Sequence, residues 1–148
     1  MQLAVPLACA GMLLAASAAP ACTIGVTTPG VLKLSGDGHT LSSANSGGIA
    51  AVIAISDLDL DLNGTTITIS DTRLDTAPGG FAEPVSHAAS YSAVWLLGSA
   101  SGSLGSSPSF VVPPVLDLVV TLTLANTVTS ATGFRQGTYT TKTTITCS

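Results

Sequence analysis

The sequence predicts an all-β protein, a single antiparallel β-sandwich of about seven to nine strands that follows a cleaved signal peptide. Three observations lead to this prediction. Apolar residues alternate with polar or small ones through most of the chain from residue 22 onward, turn residues recur between these runs, and no helical period of useful length is present. Residues 22–148 are enough for one domain with a hydrophobic core.

Residues 1–21 have the features of a signal peptide. Residues 3–19 are apolar and rich in Ala and Leu, and Ala19-Pro20-Ala21 supplies small residues at the two positions that signal peptidase reads. The run is short for a membrane helix, and no stop-transfer charges follow it. No Lys or Arg precedes it, so the terminal amine is the only positive charge there. We expect export to the periplasm, the cell surface or the medium, with no membrane span in residues 22–148.

The cysteines predict one disulfide. Cys22 follows the expected cleavage site and Cys147 is the penultimate residue, while Cys9 would leave with the leader. A bond between Cys22 and Cys147 would join the first strand to the last, and it requires an oxidising compartment. The alternative is acylation of Cys22, as in a bacterial lipoprotein, although Ala19 stands where such signals carry a Leu-like residue. The two modifications exclude each other because a thioether-linked Cys22 cannot form a disulfide.

The composition excludes some classes of function. Charged residues make up 8% of the chain, against about 25% in typical proteins. With a net charge of −4, the chain lacks the excess of basic residues that is typical of a nucleic-acid-binding protein. High hydropathy with low charge is also the opposite of the signature of disorder.

Period-two alternation marks the individual strands, and one change of parity interrupts it. The apolar positions that share a face are Cys22, Ile24 and Val26; Leu32 and Leu34; Ile49, Ala51, Ile53 and Ile55; Leu116, Leu118, Val120, Leu122 and Leu124; and Tyr139, Ile145 and Cys147. The parity changes near Ser56-Asp57, which predicts either a β-bulge or a crossing from one sheet to the other.

Three further local predictions follow from turn and strand signals. Asn63-Gly64 is a preferred two-residue hairpin turn and would place Leu60 opposite Ile67. The stretch Tyr91–Leu97 is apolar on both parities, which predicts a central strand covered on both faces with Trp95 in the core. The Gly- and Ser-rich segment Gly98–Ser109 predicts a flexible loop.

Candidate metal chemistry is limited to one acidic cluster. Asp57, Asp59 and Asp61 begin like a calcium loop, but Ser70 stands where the bidentate Glu should be. An extended strand would also direct the three carboxylates outward in a row. A solvated strand face is therefore the main interpretation, with weak surface binding of Ca²⁺ as the alternative, and we expect no cofactor.

Candidate nucleophilic chemistry is equally sparse. His39 and His87 are the only imidazoles, and each would need an activated Ser and an orienting carboxylate. Gly98–Gly102 resembles a nucleophile elbow, but Ala100 occupies the place of the nucleophile. We expect surface histidines and no enzymatic activity, and a hydrolase would need a cluster that only folding could create.

The run Gly137–Thr146 resembles the last strand of fimbrial subunits from chaperone–usher systems, of the archaic, spore-coat-U-like type. An early cysteine and a hydroxyl-rich β-chain agree with the resemblance. It implies an incomplete immunoglobulin-like sandwich whose missing strand comes from the next subunit, by β-augmentation. Such subunits donate an N-terminal extension, whereas the expected cleavage would leave Cys22 first. The resemblance therefore implies a tip subunit or a self-complete sandwich.

Three functions remain open at this point. The first is a structural or adhesive surface protein, with other surface or fimbrial subunits as partners. The second is a monomeric exported binding module that presents Gly98–Ser109 to a partner, or a lipoprotein acylated at Cys22. The third is a hydrolase.

Intact mass of the exported protein tests the processing and the state of Cys22. We expect a chain that starts at Cys22 and is two protons lighter than the reduced form, because the disulfide removes two thiol hydrogens. A large mass gain that lipase or acid hydrolysis reverses would instead establish acylation.

Overall fold

The computed structural model describes residues 22–56, 64–105, 108–114 and 119–148. These residues form ten strands and no helix, and therefore contain no helix that could cross a membrane. The predicted leader and the predicted carboxylate row at residues 57–61 lie outside the described residues. The strands are β1 (Thr23–Thr28), β2 (Lys33–Leu34), β3 (Thr40–Ser42), β4 (Ala51–Ser56), β5 (Thr65–Thr76), β6 (Val85–Trp95), β7 (Gly98–Ser103), β8 (Ser109–Val112), β9 (Val120–Ser130) and β10 (Thr140–Cys147).

The strands form two antiparallel sheets, which confirms the predicted all-β class. In the seven-stranded sheet, β9 is the central strand and pairs with β6 from Thr121 to Ser130. The other side of β9 pairs with β4 at residues 120–124 and with β3 at residues 127–129. Strands β1, β2 and β7 lie outside β4, β3 and β6. The second sheet has the order β10-β5-β8. An immunoglobulin-like arrangement of these sheets stays a prediction.

The core lies between the two sheets and follows the predicted alternation. Every second residue of β9 points inward, and β4 and β5 contribute isoleucines on the same principle. Phe110 of β8 stacks on Tyr91 and Trp95 of β6, with ring centroids 5.5 and 6.0 Å apart. The buried residues of this core include Ile53, Ile55, Ile67, Ile69, Ala93, Val112, Val120, Leu122 and Leu124.

The change of parity near Ser56 marks a crossing between sheets. Strand β4 ends at Ser56 in the seven-stranded sheet, and β5 begins at Thr65 in the other. The predicted Asn63-Gly64 hairpin falls mostly outside the described residues. The hairpin would pair Leu60 with Ile67, but both edges of β5 are already paired at Ile67, with Phe110 on one side and Cys147 on the other. Strand β5 therefore has no free edge there for Leu60, and that part of the prediction is wrong.

Two predictions around β6 also need correction. Only one face of β6 is covered, since Tyr91 and Ala93 are buried while Val94 is exposed. Half of the expected loop Gly98–Ser109 is strand β7, which pairs with β6 from Ser90↔Ser103 to Trp95↔Gly98. The aromatic rings of β6 explain the glycines of β7. A Cβ on Gly98 would lie 2.9 Å from the Trp95 ring, so the missing side chain makes room for that ring.

The predicted disulfide between Cys22 and Cys147 is present. Cys22 precedes β1 in the seven-stranded sheet and Cys147 ends β10 in the other, with a Cα–Cα distance of 6.0 Å. Both cysteines belong to the core or pack against it. The bond therefore links the two sheets covalently at one side of the sandwich.

Replacing both cysteines by alanine should lower the free energy of unfolding by about 4–5 kcal/mol. The reason is that the bond closes a loop with a sequence separation of 125, and loop-closure entropy grows with loop length. Urea denaturation followed by circular dichroism measures the change. Reduction of the wild-type protein should reproduce it, and a loss below about 1 kcal/mol would contradict the expectation.

Candidate functional site

An apolar groove runs along the side of the sandwich between β1 and β10, with a volume of about 470 Å³. Alternation places the even-numbered residues of β1 and the odd-numbered residues of β10 on its walls, and β4 and β9 form its floor. We call this space the β1–β10 groove. Its lining includes Ile24, Val26, Ala51, Ile53, Leu124, Thr141, Thr143 and Ile145.

The apolar wall of the groove remains accessible. Ile24 and Val26 are 41% and 67% exposed, although both lie on the inward face of β1, opposite Ile55 and Ile53 of β4. The facing wall is mixed, because β10 places Thr141 and Thr143 inward before Ile145. Two of the inward positions of the last strand are therefore hydroxyl groups, which bury poorly against aliphatic side chains. This mismatch leaves the groove open.

Both walls of the groove also present unpaired backbone. Among the described strands, β1 pairs only with β4 and β10 only with β5. Each strand therefore has one edge without a neighbouring strand, and such edges are templates for pairing. Opposing sheets stack about 10 Å apart, which is roughly twice the spacing of about 4.8 Å between paired strands. An extended segment in the groove can therefore lie at pairing distance from one edge or both.

The two ends of the groove are fixed by different interactions. The Cys22–Cys147 disulfide closes one end. Tyr139 lies at the other, where its ring meets Phe81 and Phe134 edge-on at centroid distances of 5.3 and 5.2 Å. At about 3.3 Å per residue, the wall from Tyr139 to Ile145 is roughly 20 Å long. The groove can therefore take an extended segment of about six or seven residues.

The histidines considered for catalysis are apart from the groove and from each other. His39 hydrogen-bonds the carbonyl of Ser130 through Nδ1 at 3.0 Å, on the side of β9 that pairs with β3. The Ser35 hydroxyl and the backbone N–H of His39 donate to Asp37, and these bonds lower the pKa of its carboxyl. The turn carrying His39 is therefore held by local hydrogen bonds.

His87 lies on β6, on the other side of β9, and lines a small cavity of about 190 Å³ with Asp71 of β5. Asp71 has a φ of 52° at a β-bulge, where two residues of β5 oppose Thr143 of β10. The Nδ1 of His87 is buried without a hydrogen-bond partner, and burial lowers the pKa of its imidazole. In the described part of the chain, no three His, Cys, Asp or Glu residues are grouped to hold a metal ion.

The Gly98–Gly102 segment carries no nucleophile elbow, because it lies within strand β7. The sequence did not identify the groove residues as a site. It placed Ile24 and Val26 on an apolar face but did not predict which strand faces them. One signal was available in the sequence. The last strand carries Thr141 and Thr143 on the face where a core strand would carry aliphatic residues. No family model, curated protein or solved structure matches this chain.

Replacing His87 by Gln should make stability less dependent on pH between 7.5 and 5. Because the folded protein disfavours the imidazolium, wild-type stability is full above the ordinary pKa of about 6.5 and falls as the pH drops toward the lower pKa of the folded state. Gln stays neutral, so the melting temperature of the variant should fall less over this range.

Thermal melts at pH 7.5 and 5 measure the difference. His39 and the carboxylates are the same in both proteins, so their titration cancels in the comparison. Equal falls for the two proteins would show that burial of His87 does not contribute to pH dependence.

Proposed function

We propose that this chain is an exported, non-catalytic structural or adhesive surface protein, a pilin-like subunit that receives an extended β-strand from another subunit. The single observation that carries the proposal is the β1–β10 groove, an apolar channel between two strands whose outer edges have no partner among the described strands. The disulfide supports export, because such bonds persist in oxidising compartments.

The chemistry of the groove favours a peptide strand over a small molecule. A strand offers backbone N–H and C=O groups to the edges of β1 and β10, and alternate side chains to the floor. Its inward side chains would cover Ile24 and Val26, and so remove exposed apolar surface from water. A compact apolar ligand would cover the floor but leave the edge groups of both strands unpaired.

The resemblance of the last strand to fimbrial subunits of chaperone–usher systems points to the same role. The disulfide joins β1 to β10 only at its own end, so the groove beyond it stays open. The expectation of a sandwich completed by its own strands therefore loses support on this side. A subunit at the tip of an assembly would use such a groove to accept a strand.

The alternative of a monomeric binding module loses the feature on which it rested. The segment expected to reach a partner as a loop is strand β7 for residues 98–103. A module that binds free peptides would still use the same groove, and assembly state separates it from a subunit.

Val26→Asp should weaken peptide binding to the groove at least about ten-fold, because it puts a charge on the apolar wall. Val26 is exposed, so the substitution leaves the core intact. Val94→Asp is the matched control, since Val94 is also an exposed valine of a strand and lies outside the groove lining.

The probe is a capped nine-residue peptide of alternating valine and threonine, and isothermal titration with a thermal-shift assay measures its binding. We expect binding and stabilisation of the wild type and of V94D, and at least about ten-fold weaker binding with a correspondingly smaller stabilisation for V26D. Equal affinity for all three proteins, or no binding to the wild type at millimolar peptide, would overturn strand acceptance.

A further inference from the structure

The opposite edge of the seven-stranded sheet is formed by β7, and it lacks the protection found on the other edges. Exposed edges are usually blocked by charges, prolines, bulges or very short strands. Among the described edge strands, β2 has two residues with Lys33, β8 has four and runs into Pro113-Pro114, and β1 and β10 carry register shifts. Strand β7 has six residues in unbroken register with β6.

The stretch of sequence that contains β7 carries no charge. No Asp, Glu, Lys or Arg lies between Glu83 and Asp117. Two copies of a chain with a net charge of −4 repel each other, and the repulsion is strongest where the charged surfaces approach. A contact through β7 would bring together two strands that carry no charged side chain.

The turn that leads into β7 is apolar and exposed. Leu96 and Leu97 form the two-residue connection between β6 and β7, where Asn, Asp and Gly are usual. They are 82% and 72% exposed. Turn geometry gives no reason for two leucines at this position, whereas an interface would.

We propose that two copies of this chain pair through their β7 edges, antiparallel and about a two-fold axis at Ala100, to form one continuous sheet. The proposal is independent of the β1–β10 groove, which lies at the other edge of the same sheet. Both contacts can form in one molecule.

The backbone of β7 has the groups that this pairing needs. The N–H of Leu104, just after the strand, bonds to the carbonyl of Ala89 on β6. Hydrogen bonding alternates along an antiparallel pair, so the even positions of β7 bond to β6. The odd positions Ser99 and Ser101 direct their N–H and C=O groups to the open edge, whereas the carbonyl of Ser103 already accepts from the N–H of Gly105.

The two-fold axis at Ala100 is chosen by the side chains. A two-fold axis perpendicular to the sheet keeps the inward faces of both copies on one side. With Ala100 opposite its counterpart, Ser99 exchanges hydrogen bonds with Ser101 of the second copy. Gly98 then lies opposite Gly102 of the second copy, so each exposed Leu96-Leu97 turn comes to the Ser103-Leu104 end of the other β7. A shift of the axis to Ser101 would place Leu104 opposite Gly98 and carry the Leu96-Leu97 turn past Leu104.

Cysteine cross-linking tests the pairing and its register. Directly opposed residues that are not hydrogen-bonded lie about 4.5 Å apart between Cα atoms, within disulfide range. Ala100→Cys should therefore form an intermolecular disulfide at least about ten-fold faster than Ser101→Cys. In this register two Ser101 residues are diagonal neighbours at about 7–8 Å, beyond that range.

A backbone variant tests the same edge in solution. Ser101→Pro removes an outward N–H without touching a bond to β6, and Ser101→Thr is its control because it keeps that N–H. We expect a reversible dimer at about 0.1–1 mM for the wild type and Ser101→Thr in analytical ultracentrifugation, and a monomer for Ser101→Pro with an unchanged circular dichroism spectrum.

The dimer should be weak, because two six-residue edges and four leucines bury less than the roughly 1,200 Å² of standard interfaces. A monomeric wild type at about 1 mM, or cross-linking of Ser101→Cys at the rate of Ala100→Cys, would overturn the proposal. If Ser101→Pro does not fold, the cross-linking comparison still decides.

Discussion

The covalent bond between Cys22 and Cys147 is the constraint on which the open side of this sandwich depends. Strand β1 has no buried residue of its own and pairs with β4 alone. Strand β10 is likewise held by β5 alone among the described strands. The disulfide fixes the ends of these two strands at a Cα–Cα distance of 6.0 Å. Without it, each strand would be attached only to its own sheet, and the groove would have no fixed width at that end.

The groove arises because the side chains of the two sheets pack poorly against each other at one side of the sandwich and well at the other. On the β8 side, Phe110 stacks between Tyr91 and Trp95, so aromatic rings fill the space between the sheets. On the β10 side, threonines face the isoleucine and valine of β1. Rings and branched aliphatic residues pack to high density, while hydroxyl groups facing aliphatic residues do not. The molecule therefore has one closed side and one open side.

A sandwich that is not closed into a barrel must protect its strand edges, and this one protects them unequally. Bulges, prolines, short strands and lysines appear at several edges, but the two sides of the seven-stranded sheet are treated differently. One ends in the groove beside β1, and the other ends in the charge-free strand β7. A strand added at one side and a second copy at the other would extend the sheet in both directions. That arrangement suits a protein that works within an assembly.

The sequence by itself determined the class, the inward positions of β4, β9 and β10, and the disulfide. These properties are local or follow from a single available pair: side chains alternate in any strand, and only two cysteines lie beyond the predicted leader. The tertiary structure alone decided which strands are neighbours. The turn signal at Asn63-Gly64 predicted the wrong partner for Ile67, because β8 and β10 occupy both edges of β5. The glycines of β7 predicted a loop from sequence alone. In the fold they are strand residues that lie against the rings of Tyr91 and Trp95. Which distant segments pair depends on all the strand edges and packing partners available in the fold, so a local sequence pattern cannot predict it.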